Sequence, residues 1–334
     1  MNENNVNLGG EIKTDGLLTV SPSPHIKNGI TTKKIMLHVI IALLPATIWG
    51  IIAFGGHAAA LVAISVVACM FFEWATQKIL HRTSTVGDLS AVVTGLLLAM
   101  NLPSTVNLLI PIVGAFVAIV VVKQLFGGIG KNFLNPALAA RVFLFMSWSD
   151  QMASFSAPFG VDVEAYATPL ASLKESGSAG ADILDLFVGN IGGCIGEVSA
   201  LLLLIGAIYL IALKIITWHS PVSYLGTVAV ITFIVPQNGA SGLEFMLTQL
   251  LSGGLMLGAL FMATDYVTSP VSAKGRVIFG VGCGLLTVFF RYFSSYPEGV
   301  SFSILVMNAL VWYIDKATTP RVFGTSKKSA EVSK

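Results

Sequence analysis

Three polar groupings interrupt apolar stretches of this chain, and a fourth lies in its longest polar interval. Gly87-Asp88-Leu89-Ser90 opens a short apolar run. Gly130-Lys131-Asn132-Phe133-Leu134-Asn135-Pro136-Ala137 leads toward Arg141. Met262-Ala263-Thr264-Asp265-Tyr266-Val267-Thr268-Ser269-Pro270 closes a third run, and Asn308 stands in the last one. Ionisable and amide groups are costly inside a membrane, about 2.5–3.5 kcal/mol for a charge at a helix centre, so each grouping is a functional candidate. Asp88, Thr264 and Asp265 are candidate ion or structural polar sites, though neither carboxylate has an evident oxygen cage. The amides of Asn132 and Asn135 offer donors and acceptors that suit the edge of a planar heterocycle. The structural alternative is plain: an aspartate or asparagine opening a helix caps it and complements its dipole, and Pro136 is ordinary at a helix start. In the fourth interval, Gly160-Val161-Asp162-Val163-Glu164-Ala165-Tyr166-Ala167-Thr168-Pro169-Leu170-Ala171, Thr168 offers a hydroxyl acceptor on a loop that a modifying enzyme could reach; an ordinary loop threonine is the alternative.

The elements that position these residues follow from composition. The chain has 334 residues, 54% hydrophobic and 11% charged. A soluble domain carries about 25% charged residues, so this chain is expected to lie in a lipid bilayer. Its net charge of +2 gives no reason to expect nucleic acid. The polar start lacks the apolar core of a signal peptide, leaving targeting to the first transmembrane helix. About 20 apolar residues span a bilayer, fewer where a helix is broken. On that measure ten segments are expected: 35–54, 58–76, 89–101, 106–122, 136–148, 198–217, 222–235, 243–263, 276–293 and 300–314. With the N-terminus inside, all of the 19 Lys and Arg residues except Arg141, Lys174 and Arg291 fall on inner loops, arm or tail. The loop carrying Thr168 then lies outside.

The expected fold class is an all-α polytopic membrane protein of about ten transmembrane helices in two inverted five-helix repeats, with short broken helices. The repeat rests on Val113-Gly114 through Lys123 recurring as Val281-Gly282 through Arg291, followed by Gly130-x-x-Phe133 and Gly299-x-x-Phe302. An odd number of helices per half inverts one half against the other, and such repeats place sites at broken helices near their interface. The division is an N-terminal cytoplasmic arm (1–33), a first repeat (34–148), an outer loop (149–197), a second repeat (198–315) and a cytoplasmic tail (316–334). Cys69, Cys194 and Cys283 form no Cys-x-x-Cys pair and the five histidines lack ligand spacing, so no metal site built by this chain alone is expected. No residue is assigned as catalytic.

These motifs together resemble a known family. Gly87-Asp88-Leu89-Ser90, Asn132 through Ala137, Ala167-Thr168-Pro169-Leu170-Ala171, Met262-Ala263-Thr264-Asp265 with Thr268-Ser269-Pro270, and Tyr296-Pro297-Glu298-Gly299-Val300 with Asn308 stand in the order of the D subunit of the Rnf ion-translocating oxidoreductase complex. That protein is homologous to the B subunit of the sodium-translocating NADH:quinone reductase. The resemblance covers roughly residues 20–325. It implies a multi-pass subunit of the bacterial cell membrane, with other Rnf subunits as partners, that couples electron transfer between ferredoxin and NAD to sodium or proton movement. It implies FMN on Thr168 through a phosphoester, attached by a flavin transferase; Asp162 and Ala167 fit that pattern, while Ala165 and Tyr166 replace its usual Ser-Gly. It also implies a non-covalent riboflavin near Asn132 and Asn135. The competing reading is a secondary transporter without a redox cofactor, which the inverted repeat and broken helices equally suit; a flavin absorption band separates the two.

Overall fold

The computed structural model describes residues 30–160, 168–176, 180, 182–197, 199–237, 241–294 and 298–320. Asp162, Ala165, Tyr166, Ala167, Tyr296, Pro297, most of the N-terminal arm and most of the tail lie outside them. Thr32–Lys334 forms one unit; of the other, Met1–Thr31, only Ile30 and Thr31 are described.

Each of the ten apolar segments falls on helix. They are α1 (Thr32–Phe54), α2 (Gly56–Ile79), α3 (Ser90–Met100), α4 (Ile110–Gln124), α5 (Pro136–Ser147), α8 (Ala200–Ala212), α9 (His219–Ile234), the pair α10 (Gly242–Leu251) and α11 (Leu255–Met262), α12 (Ala273–Phe293) and α13 (Val300–Thr318). The long loop carries a single helical turn at Ser149–Met152 and two short helices, α6 (Pro169–Ser176) and α7 (Ile183–Val188). No strand occurs among the described residues, only an isolated bridge between Pro103 and Cys194. Among the described residues four helices (α1, α2, α12 and α13) are long and apolar enough to cross a membrane, five spans if α10 and α11 count as one; the other apolar helices have 10–17 residues. Ile41, Leu44, Ile48 and Ile52 on α1, and Val67, Phe71 and Trp74 on α2, form an exposed apolar surface. The chain is a multi-pass membrane protein.

Two departures from the expected segments have local causes. The eighth is not continuous: it breaks at Ser252-Gly253-Gly254 and bends by 65°. Gly253 sits at φ +70°, a left-handed conformation that other residues adopt at a cost. The sixth ends at Ala212 rather than Thr217, where Lys214 takes φ +57° and turns the chain away. Two helices also widen to π geometry, over Val117–Gln124 in α4 and Gly258–Met262 in α11. Such widening recurs at functional sites, and both stretches border the cavity described below.

The packing partners repeat. In the first half α1 packs on α3, α2 on α3 and α4, and α5 on α3 and α4. In the second, α8 packs on α11, α9 on α10 and α12, and α13 on α11 and α12. The halves meet where α1 lies on α8 and α5 on α13.

Candidate functional site

A cavity of about 370 Å³ opens where α1, α3 and α5 begin and α4, α8 and α11 end. It gathers Asn132, Asn135, Thr264 and Asp265, with Ser90 beside Asp88, from three groupings far apart in sequence. Its remaining wall is mostly apolar, including Met36, Val93, Leu97 and Phe261. A pocket of this size with few polar groups on an apolar wall is the usual form of a cofactor site.

The polar groups have different duties. Asn135 caps α5: its Oδ1 accepts from the Ala137 and Leu138 N–H groups at 3.1 and 3.3 Å, and its Nδ2 donates to the Met262 carbonyl at 3.3 Å. Asn135 thus joins α5 to α11 while also lining the cavity. Asn132 Nδ2 donates to the Leu134 carbonyl at 3.0 Å, which leaves its Oδ1 without a partner among the described residues. Thr264 Oγ1 donates to the Leu260 carbonyl at 2.9 Å and keeps its lone pairs. Asp265 accepts from Thr268 Oγ1 at 3.1 Å; burial pushes its carboxyl above the ordinary range, against that hydroxyl and the Val267 and Tyr266 N–H groups. Asp88 Oδ1 accepts from the Ser90 N–H and hydroxyl, 2.8 and 2.5 Å, holding the start of α3. Asp88 is thus a helix-start residue, one step behind the cavity wall.

Thr168 lies elsewhere. It is the residue before Pro169 at the start of α6, and its Oγ1 accepts from the Ala171 N–H at 3.3 Å. Its side chain is buried, 8% exposed, where the sequence suggests a reachable loop hydroxyl. The reason is the docking of α6: Leu170 and Leu173 are buried, and both line a small crevice with Phe245, Gln249 and Arg291. Beneath it runs a charge cluster. Arg141 ion-pairs with Glu298 and donates to Asn101 Oδ1 at 2.9 Å; Arg291 donates to Gln249 Oε1 at 2.8 Å and to the Ser252 carbonyl at 3.1 Å. A Cβ on Gly253 would lie 2.5 Å from Leu170 Cδ1, 3.1 Å from Arg291 Nη2 and 3.3 Å from Glu197 Oε1, so the α10–α11 break is where α6 meets the cluster. Cys194, Glu197 and Glu298 bring ligand atoms within 4.8 Å of one another. Of the two acidic residues, Glu298 is already paired with Arg141, and Glu197 accepts from the Cys194 N–H at 3.2 Å.

A model of the NQR2, RnfD, RnfE family matches residues 19–324. The chain belongs to that family. Among relatives, it is 50% identical to the D subunit of the Na(+)-translocating ferredoxin:NAD(+) oxidoreductase complex of Acetobacterium woodii, over 94% of this chain and 98% of that one. It is 40% identical to the D subunit of the proton-translocating ferredoxin:NAD(+) oxidoreductase complex of Clostridium ljungdahlii, over 93% and 97%. It is 34% identical to the D subunit of the ion-translocating oxidoreductase complex of Methanosarcina acetivorans, over 92% and 97%.

Within this NQR2, RnfD, RnfE family chain, sequence reasoning passes over the more deeply buried of the two ion pairs found among the described residues. Glu73 and Lys123 are both buried and pair at 2.9 Å. Glu73 lies near the end of an apolar segment, and the same rule that singles out Asp88 could have found it. Lys123 reads as a loop charge in the sequence, yet α4 continues through Gln124 and carries it inside. Arg141 and Arg291 do carry a signal, since they are two of the three cations that the inner loops fail to absorb.

Proposed function

We propose that this chain is the membrane subunit of a complex that couples electron transfer between ferredoxin and NAD to sodium or proton translocation, with FMN esterified to Thr168 and riboflavin held in the cavity. The observation that carries the reading is the cavity itself, where the sequence motifs meet around a space of about 370 Å³. The names of the relatives agree with the reaction; they differ in the ion, so kinship does not choose between sodium and proton.

The residues fit the proposed groups. A flavin bound here supplies one- and two-electron redox chemistry that the side chains lack. Asn132 Oδ1 and the Thr264 hydroxyl offer acceptors to a polar ring edge, the apolar wall excludes water, and Asn135 fixes the two helices that form the floor. At Thr168 the Ala171 N–H in the first turn of α6 donates to the hydroxyl oxygen, a helix-start setting that a phosphoester oxygen favours. The buried pose requires that a flavin transferase reach Thr168 before α6 docks.

The same reading takes the repeated packing partners as two inverted five-helix repeats with the division given above. It places both termini and the cavity on the cytoplasmic side and the Thr168 loop outside, by the Lys and Arg distribution. Other subunits of the complex supply the NAD and iron–sulfur chemistry.

The test is made on the purified complex. Acid extraction should release riboflavin without phosphate, and Asn132→Leu should reduce the released fraction. In a denaturing gel this subunit should fluoresce, and its Thr168→Ala variant should be dark. An extract without riboflavin would remove the cavity assignment, and a fluorescent Thr168→Ala subunit would remove the tether. A complex in which this subunit carries neither flavin returns the chain to the secondary transporters.

A further inference from the structure

The buried Glu73–Lys123 pair stands between two cavities. Lys123 and Ser90 form part of the wall of the cavity assigned to riboflavin, and Glu73 does not. Lys123 Nζ donates to the two Glu73 carboxylate oxygens at 3.0 and 2.9 Å and to Ser90 Oγ at 2.7 Å. Behind the lysine, Glu73 Oε1 also accepts from Gln77 Nε2 at 3.2 Å, Gln124 Nε2 at 3.0 Å and Thr85 Oγ1 at 3.3 Å. Gln77, Thr85 and Gln124 line a second cavity, also about 370 Å³, together with Arg82 and Lys131.

Holding α2 to α4 does not need this arrangement. A buried ion pair is often no more stabilising than packed apolar residues of the same volume, because two charges must be desolvated. What the pair adds is direction. Its positive end meets the assigned cavity, and its negative end is turned away and held by three further donors. Asp265 is the acidic residue on the same cavity wall. In surroundings of low dielectric constant an ammonium at the wall stabilises negative charge on an occupant much more than it would in water.

We propose that the Glu73–Lys123 pair sets the reduction potential of the flavin in this cavity. One electron from a reductant adds one negative charge to the occupant. Lys123 stabilises that charge from the wall, and Glu73 limits the effect by anchoring the ammonium and partly cancelling its field. No bond forms or breaks in the protein and no proton moves between the pair. The inference rests on the cavity being a flavin site.

Spectroelectrochemical titration of the purified complex tests it, with acid-extractable riboflavin measured on the same samples. The expected order of midpoint potentials for this component, from highest to lowest, is Glu73→Gln, wild type, the double variant Glu73→Gln/Lys123→Gln, then Lys123→Gln. The opposite shifts of the two single variants separate electrostatics from loosened packing, which would move both the same way. Lys123→Gln leaves a buried carboxylate unpaired; if it fails to assemble, Glu73→Gln above wild type and the double variant below still decide. Variants that retain riboflavin with unchanged potentials, or with shifts of one sign, overturn the proposal. A wild-type complex without extractable riboflavin removes the cavity reading itself, and this inference with it.

Discussion

Thr168 has two duties that substitution can separate. Its hydroxyl is the proposed point of flavin attachment, and its Oγ1 also accepts from the Ala171 N–H at the start of α6. Replacing a capping Thr by Ala costs about 1 kcal/mol, while Asn caps at least as well. Thr168→Asn should therefore leave the protein dark in a denaturing gel with the stability of the parent. Thr168→Ala should be equally dark and less stable by about 1 kcal/mol, measured by thermal unfolding in detergent. A second test at this scale concerns Glu197. Burial, then the nearby Glu298 carboxylate, push its carboxyl up to about 7, against Arg141 and the Cys194 N–H. The native state then holds a proton that the unfolded chain releases near the ordinary carboxylate value of 4.5. Stability should fall as pH rises from about 4.5 to about 7, because over that window the native state binds more protons than the unfolded one. Glu197→Gln should flatten that part of the unfolding profile, and an equally steep profile in the variant would rule out Glu197 as its source. Neither feature is legible from residue types. That Thr168 caps a helix depends on where α6 starts, and the state of Glu197 depends on residues 298 and 141, which only folding brings near.

At the scale of elements the chain is easier to read. Each of the ten apolar segments lies on helix, because spans of hydrophobic residues between turn-forming groups are a local signal. Tertiary contacts decide what remains. The eighth segment reads as one apolar run, and what breaks it is the pair Gly253-Gly254, two small residues in an otherwise continuous pattern. At that break Leu170 of α6, Arg291 of α12 and Glu197 of the loop converge. Gly253→Ala should strain the fold twice: the left-handed conformation costs a Cβ-bearing residue about 1–2 kcal/mol, and the new methyl lies 2.5 Å from Leu170 Cδ1. The expected result is a complex destabilised by about 2 kcal/mol in which α6 is lifted and attacked faster by added protease. Gly56→Ala is the control, since nothing lies within 4 Å of its added carbon. Equal protease resistance of the two variants would show that the break does not hold α6 down.

Over the whole molecule the two proposed flavin sites fall at opposite ends of α3. Ser90 at its start lines the cavity, and Asn101 just past its end accepts from Arg141 in the cluster beneath α6. Eleven residues of helix separate them by about 16 Å, roughly half of a hydrocarbon core. The charges differ between the two ends. Lys78, Arg82, Lys131, Lys214, Lys274 and Arg276 flank helix ends on the cavity side, whereas the opposite end has Lys174 and the buried Arg141 and Arg291. Positive residues favour the cytoplasmic side, so on the topology proposed above the cavity would face the compartment of ferredoxin and NAD and α6 would face out. Asp182 just before α7 and Lys274 at the start of α12 are both exposed, and the three native cysteines are buried, leaving a quiet background for labelling. In intact cells a membrane-impermeant maleimide should label Asp182→Cys and leave Lys274→Cys unlabelled until the membrane is opened. Labelling of Lys274→Cys alone would invert the protein. The cavity would then face outward, away from both soluble redox partners, and could no longer serve as the inner station for electrons returning from Thr168.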